Sequence, residues 1–306
     1  MVNSFFIQNA GFFYFKGKDR IDFLNRISTN DFRSFKTNEF VKTLLTSEKG
    51  KIIDLITVFE YSSHSVIKTT NENKDSVENF INKYIFSEDV KIENPGITYY
   101  LITLTGDNII DFVNKEFNVP KPEDNRYFTL YENSILYFDL YDIPFVRIIA
   151  GTKDLDDILP ALNELHKMDK DEFEYFCIQN VIPESEDELN GNINPLECNL
   201  DKYISFTKGC FVGQEVIARL DSQQKLPKRM VRFESEMEIK RNDKIYYREA
   251  NFNLYECGFI SKVVKRNEKY LGFAFIRNIY LNYEMDYFTK DNDLVKIQRI
   301  NSEKVK

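Results

Sequence analysis

Histidine is nearly missing from this chain: His64 and His166 are the only two in 306 residues, and they lie far apart in sequence. That leaves little room for a histidine-based metal site or a histidine-dependent nucleophile; a surface or helix position is the plain reading of each. Cysteine is scarce too. Cys177, Cys198, Cys210 and Cys257 are scattered without a C-x-x-C pair, which argues against a zinc site or a disulfide framework. No apolar run approaches the ~18 residues a membrane span needs. The start, Val2-Asn3-Ser4-Phe5-Phe6-Ile7, has no basic region and too short an apolar stretch for a signal peptide. A cytoplasmic protein without membrane contact is expected. Positive charge is also in deficit: 41 Lys and Arg against 49 Asp and Glu leave a formal net charge of −8. A protein that coats nucleic acid needs a positive surface, so no direct nucleic-acid partner is expected.

What is present suits a globular chain of two or three domains, with 42% hydrophobic and 29% charged residues. Asp19 caps an expected helix carrying Ile21, Leu24 and Ile27. Thr43–Thr46 and Ile52–Phe59 read as strands joined through Gly50. A helix carries Val77, Phe80 and Ile81, and Thr98–Leu104 reads as a strand. Gly106-Asp107 opens a helix with Ile109 and Val113. Ile135–Phe138 and Phe145–Ile149 read as strands, and Asp154–Leu165 and Glu172–Gln179 as helices. Strands and helices interleave with hairpins among them, which favours α+β layers over one parallel sheet. The segment from Thr98 to about Leu165 repeats the rhythm of the one before it, as two ferredoxin-like halves would. After Pro227 short β-rich segments dominate, at the spacing of a small antiparallel barrel or sandwich. The expected division is residues 1–224 and 228–306.

One segment carries chemistry. Lys208-Gly209-Cys210 approaches a helix expected over Gly213–Leu220. Glycine lets backbone approach a ligand closely. A thiol beside a lysine and near a helix N-terminus would have a lowered pKa, and the thiolate is the reactive form. Read on local chemistry alone, Cys210 is as well a small hydrophobe buried in a tight turn. Upstream, Asn194-Pro195-Leu196-Glu197 sets a carboxylate after a stiff proline. Such a carboxylate suits a ligand edge with paired N–H donors, as a pterin has; the plain alternative is an exposed loop acid.

Lys208-Gly209-Cys210-Phe211-Val212-Gly213-Gln214-Glu215 resembles the K-G-C-[FY]-x-G-Q-E signature of the YgfZ family. The likeness runs on through Val216-Ile217-Ala218-Arg219 and back through Ile204–Thr207 to Asn194–Glu197. Gly17…Phe23-Leu24…Thr29-Asn30-Asp31, Leu45–Lys51 with Asp54, and Gly258–Ser261 add weaker matches along the chain. That family is similar in fold to the aminomethyltransferase of the glycine cleavage system. The resemblance implies two ferredoxin-like layers forming a folate-binding domain, followed by a small antiparallel β-barrel. It also implies tetrahydrofolate, or a derivative, as cofactor, and iron–sulfur client or assembly proteins as partners. In bacteria that role extends to iron–sulfur enzymes that modify tRNA. The resemblance places the functional thiol at Cys210 with Lys208, and the ligand contacts at Asp31, Asn194, Glu197, Gly209, Gly213, Gln214 and Glu215. The family often has tryptophans at its folate pocket; this chain has none, and Phe173 or Tyr175 is the expected aromatic face.

The implied function is a tetrahydrofolate-binding accessory protein for assembly or repair of iron–sulfur proteins. A true aminomethyltransferase, with Asp31 or Asp54 protonating the leaving amine, is the alternative. A tRNA-binding module is a third reading, against which the acidic charge balance counts.

Overall fold

The computed structural model describes residues 2–121, 125–140, 144–248 and 253–300. Two units of identical order make up the first half of the chain. The first runs β1 (Ser4–Lys16), α1 (Arg20–Ile27), β2 (Phe40–Thr46), β3 (Ile52–Glu60), β4 (Ser65–Thr70), α2 (Lys74–Lys83), β5 (Lys91–Glu93). The second runs β6 (Tyr99–Thr105), α3 (Ile109–Phe117), β7 (Tyr127–Tyr131), β8 (Ser134–Leu140), β9 (Pro144–Gly151), α4 (Leu155–Ile158), β10 (His166–Lys167). The rhythm read in the sequence is thus a structural repeat. The expected helix over Asp154–Leu165 is instead broken into short turns, α4 being flanked by 3-10 segments at Thr152–Asp154 and Leu159–Leu162. Pro160, which lacks an amide hydrogen, stands in the second.

β1 joins the two units into one ten-stranded sheet. Its first half pairs with β6, its second with β4, and Ala10 sits opposite both Thr70 and Tyr99. The sheet then curls until its two edges meet. Phe40 N donates to Asn125 O at 2.8 Å and Tyr127 N to Asn38 O at 3.3 Å, joining the start of β2 to the start of β7. Side chains alternate along a strand, so every second residue points into the curl. Phe12, Phe40, Phe59, Tyr99, Tyr127 and Tyr137 meet there as an aromatic plug. The helices cover the outer faces, burying Phe23, Leu24 and Val77 on one unit and Ile109 and Val113 on the other.

Past β10, α5 (Lys170–Gln179) is fixed by a capping box of Asp169 and Glu172. α6 (Gln214–Gln223) follows after a long stretch of turns. Six strands then close a barrel: β11 (Lys228–Ser235), β12 (Lys244–Arg248), β13 (Leu254–Arg266), β14 (Lys269–Arg277), β15 (Tyr287–Phe288) and β16 (Leu294–Gln298), with β16 pairing back to β11. The barrel shares a core with the first part of the chain, in which Met230, Phe273 and Phe275 meet Leu44, Leu196, Phe211 and Ile217. A buried ion pair, Lys262 to Glu188 at 3.0 Å, crosses the same junction.

Candidate functional site

Four separated stretches of sequence meet in one place. The turn between β2 and β3 brings Gly50, at φ +64°, against α6. Asn194 Nδ2 donates to Gly50 O at 2.7 Å, and Ile52 N to Ile193 O at 2.9 Å. Thr46 Oγ1 donates to Val212 O at 2.6 Å. Thr29 Oγ1 donates to Tyr203 O at 2.8 Å, and Ser205 N to Thr29 O at 3.0 Å. Apart from Gly258–Ser261, which lies in β13, the matched segments are therefore one hydrogen-bonded assembly. Gly213 is at φ +83°, and a Cβ there would stand 2.5 Å from Ser47 O. Only glycine fits that position. Gly209 has no such need: nothing lies within 4 Å of where its Cβ would be.

Lys208 staples the signature loop to α1. Its buried ammonium donates to Asn25 O (2.5 Å), Ser28 O (2.8 Å) and Asn30 O (2.5 Å). An ammonium has three donors, so all are used. Asn25 lies in the last turn of α1 and Ser28 caps it, where the helix dipole favours a cation, and Asn30 follows just beyond. Burial pulls the lysine's pKa down to about 8, with the Asp31 carboxylate opposing it. The sequence reading set this cation beside the thiol; the fold gives its hydrogen bonds to α1 instead. Cys210 itself is exposed, whereas Cys177, Cys198 and Cys257 are buried. α6 begins at Gln214, so Phe211-Val212-Gly213 separate Cys210 from it. Gln214 is half-buried and Glu215 exposed.

Glu197 is buried, and its carboxylate caps a 3-10 turn at Pro195–Cys198 by accepting from Asn194 N at 2.8 Å. Lys51 and Lys228 ammonium groups lie 3.7 and 3.9 Å from it. Phe173 is a core residue, stacked on Phe6 at 4.2 Å and packed beside Phe145 and Phe176. Tyr175 lies under the Arg266 guanidinium, 5.5 Å from its ring centre.

Beside this assembly opens a cavity of about 690 Å³, with Asp31 in its wall. Phe40, Phe138 and Tyr203 give it aromatic faces, and Lys42, Lys202 and Asp139 give it charge. It lies at one mouth of the curled sheet and shares Lys42 and Asp139 with a narrower space lined by Thr57, Lys68, Tyr137 and Arg147. Lys42 donates to Asp139 at 2.7 Å and stands 5.2 Å from the Tyr203 ring centre. Burial pushes the Asp139 carboxyl up, but Lys42 and Arg147 outweigh it and hold the pKa below the usual value. Arg147 is 1% exposed and fork-binds Glu184. Sequence reasoning missed these charges. Their signal is a lone ionic residue at an inward strand position between apolar neighbours, as in Phe138-Asp139-Leu140 and Val146-Arg147-Ile148. Lys202 and Tyr203 stood unnoticed between two matched segments.

Residues 2–140 match the model of the GCVT N-terminal domain. The likeness to YgfZ proteins and aminomethyltransferases read from the sequence holds. The chain is 29% identical over 241 residues to an aminomethyltransferase of Thermosipho melanesiensis, covering 71% of this chain and 62% of that protein. It is 24% identical over 301 residues to the tRNA-modifying protein YgfZ of Buchnera aphidicola subsp. Baizongia pistaciae, covering 94% and 91%. The crystal structure of glycine cleavage system aminomethyltransferase T from Bartonella henselae superposes with a TM-score of 0.82 at 11% identity, over 98% of this chain and 86% of that one. The fold is aminomethyltransferase-like: a curled mixed sheet with helices and a closed six-stranded barrel. Among the described residues no helix is long and apolar enough to cross a membrane, and no three His, Cys, Asp or Glu cluster as metal ligands would.

Proposed function

We propose that this GCVT-type chain is a tetrahydrofolate-binding accessory protein of the YgfZ kind, acting in the assembly or repair of iron–sulfur proteins. The observation that carries the reading is the assembly around Gly50, Asn194, Lys208 and Gly213, which ties the signature loop to the first unit and leaves Cys210 as its exposed thiol. A one-carbon carrier would sit in the adjoining cavity. Asp139, oriented by Lys42, and Asp31 offer carboxylates to a pterin edge, Tyr203 and Phe40 offer ring faces, and Lys202 suits the glutamyl carboxylates. The volume suits a drug-sized ligand. Bound tetrahydrofolate would supply one-carbon chemistry; the protein's own part is to orient it and exclude water. Division at residues 224 and 228, between the end of α6 and the start of β11, separates the folate-binding part from the barrel in this reading.

The aminomethyltransferase alternative needs a group that protonates a leaving amine. Asp54 is buried and accepts from Thr69, Thr70 and Asn73, saturating both oxygens. Asp31 is held at about pKa 2, chiefly by its hydrogen bond with Arg33. The saturated contacts of Asp54 favour the accessory-protein reading. Calorimetric titration with tetrahydrofolate, run beside an aminomethyltransferase assay, tests it. The reading expects saturable binding in roughly the micromolar range and no amine release. No binding up to millimolar folate removes the folate half of the reading; turnover restores the enzyme.

A further inference from the structure

The curled sheet has a second mouth, on the far side of the aromatic plug from the charged one. A cavity of about 420 Å³ opens there, within the range of small-molecule sites. Its walls differ in kind from those of the first mouth. Tyr61 and His64, from the hairpin between β3 and β4, stack with ring centres 4.8 Å apart and planes within 4°. Tyr14 meets the same imidazole edge-on at 5.5 Å. The Tyr14 and Tyr99 hydroxyls lie 3.3 Å apart, and Thr129, Asn133 and Ser134 add further polar groups to the wall. Lys16 stands at the cavity, held by Glu93 at 2.6 Å.

The stack is held from below. The Tyr61 ring packs against Tyr127, ring centres 5.1 Å apart, and His64 Nδ1 lies 3.1 Å from Ser63 Oγ. Burial and the charges of Lys16 and Arg20 lower the His64 pKa against the opposing Glu60 carboxylate, which favours the neutral imidazole. A fixed, uncharged pair of parallel rings at the wall of a cavity is a stacking platform: a third flat ring gains contact on it without ordering any side chain. Hydroxyl and amide groups around the walls match the mixed donors and acceptors on the edge of a heterocycle.

We propose that this mouth binds a planar, uncharged heteroaromatic ring of nucleobase size, which extends the Tyr61–His64 stack, with Lys16 receiving an anionic group attached to the ring. The class of ligand is a free purine nucleotide. The site is separate from the folate reading: its residues share nothing with the cavity beside Lys208.

The chain's two histidines make the test clean. The imidazole C2 proton of His64 is followed by NMR, assigned against His166→Gln, while adenosine monophosphate is added to the full chain. The expected result is a saturable ring-current shift of the His64 signal with His166 unmoved. In calorimetry, His64→Ala should weaken binding about tenfold or more, the loss of one base-to-ring stack, while His64→Phe should retain it. Adenosine should bind more weakly than the monophosphate, and Lys16→Met should abolish that difference. Circular dichroism confirms that each variant is folded. An unmoved His64 signal up to millimolar nucleotide overturns the proposal, as does equal binding by His64→Ala. Tighter binding of a short RNA than of the monophosphate overturns the choice of a free nucleotide.

Discussion

Gly213 sits against Ser47: a side chain at Gly213 would put its Cβ 2.5 Å from the Ser47 carbonyl oxygen, in backbone at φ +83°. Gly213→Ala should therefore cost about 1–3 kcal/mol through the left-handed strain alone, with the clash added. Gly209→Ala meets open space and should stay within ~0.5 kcal/mol. Denaturant midpoints of the two variants check the contrast; equal losses would mean that the Gly213 turn does not hold the loop.

Cys210 should be the one thiol that a bulky disulfide reagent titrates in the folded chain. Cys177, Cys198 and Cys257 are buried, and burial raises the pKa of each, to about 12 for Cys257. The assay should read one fast thiol under native conditions and four in denaturant. A second fast native thiol would contradict the burial.

The same three thiols make stability fall on the alkaline side. Folded, they keep their protons; unfolded, they ionise near ~8.5. Above that pH the native state binds more protons than the unfolded chain, so stability declines as pH rises, by at most about 1.4 kcal/mol per pH unit per thiol. Lys208, whose pKa is lowered to about 8, works in the opposite direction between there and the ordinary lysine value. Comparing urea unfolding at pH 8, 9 and 10 with that of Cys177→Ala/Cys198→Ala/Cys257→Ala isolates the thiol contribution. The triple variant should have the flatter profile.

Lys262→Met leaves Glu188 buried without its partner at the junction with the barrel. Breaking a buried pair by removing one member costs ~3–5 kcal/mol. Lys262 is 4% exposed and Glu188 not at all. The double change Lys262→Met/Glu188→Leu should recover much of that loss in thermal unfolding, because no orphan charge remains.

Lys42→Met should weaken tetrahydrofolate binding about tenfold, or ~1.4 kcal/mol, since Lys42 faces both Asp139 and the Tyr203 ring. The Cys210 titration should be unchanged. Unaltered folate affinity would place the ligand outside this cavity.

Much of the architecture was legible because its signals are local. Periodicity marked most of the principal helices and the barrel strands, and Gly50 marked the turn between β2 and β3. β1 was missed: Ser4–Lys16 is apolar on both sides over much of its length, as a strand shared between two units must be, and so shows no clean alternation. The Asp154–Leu165 segment misled because apolar spacing does not record where a proline interrupts hydrogen bonding.

The sequence by itself determined the α+β order, the barrel and the signature loop around Cys210, because each is written in neighbouring residues. Only the tertiary structure decided what those residues touch. Lys208 looks adjacent to the thiol in sequence but spends its three donors on the end of α1. Glu197 looks like a ligand contact but is buried as a turn cap between two lysines. Lys42, Asp139, Arg147 and Tyr203 come together only because the sheet curls until β2 meets β7. Side-chain direction over such distances is set by the curvature of the whole sheet, and no short stretch of sequence encodes it.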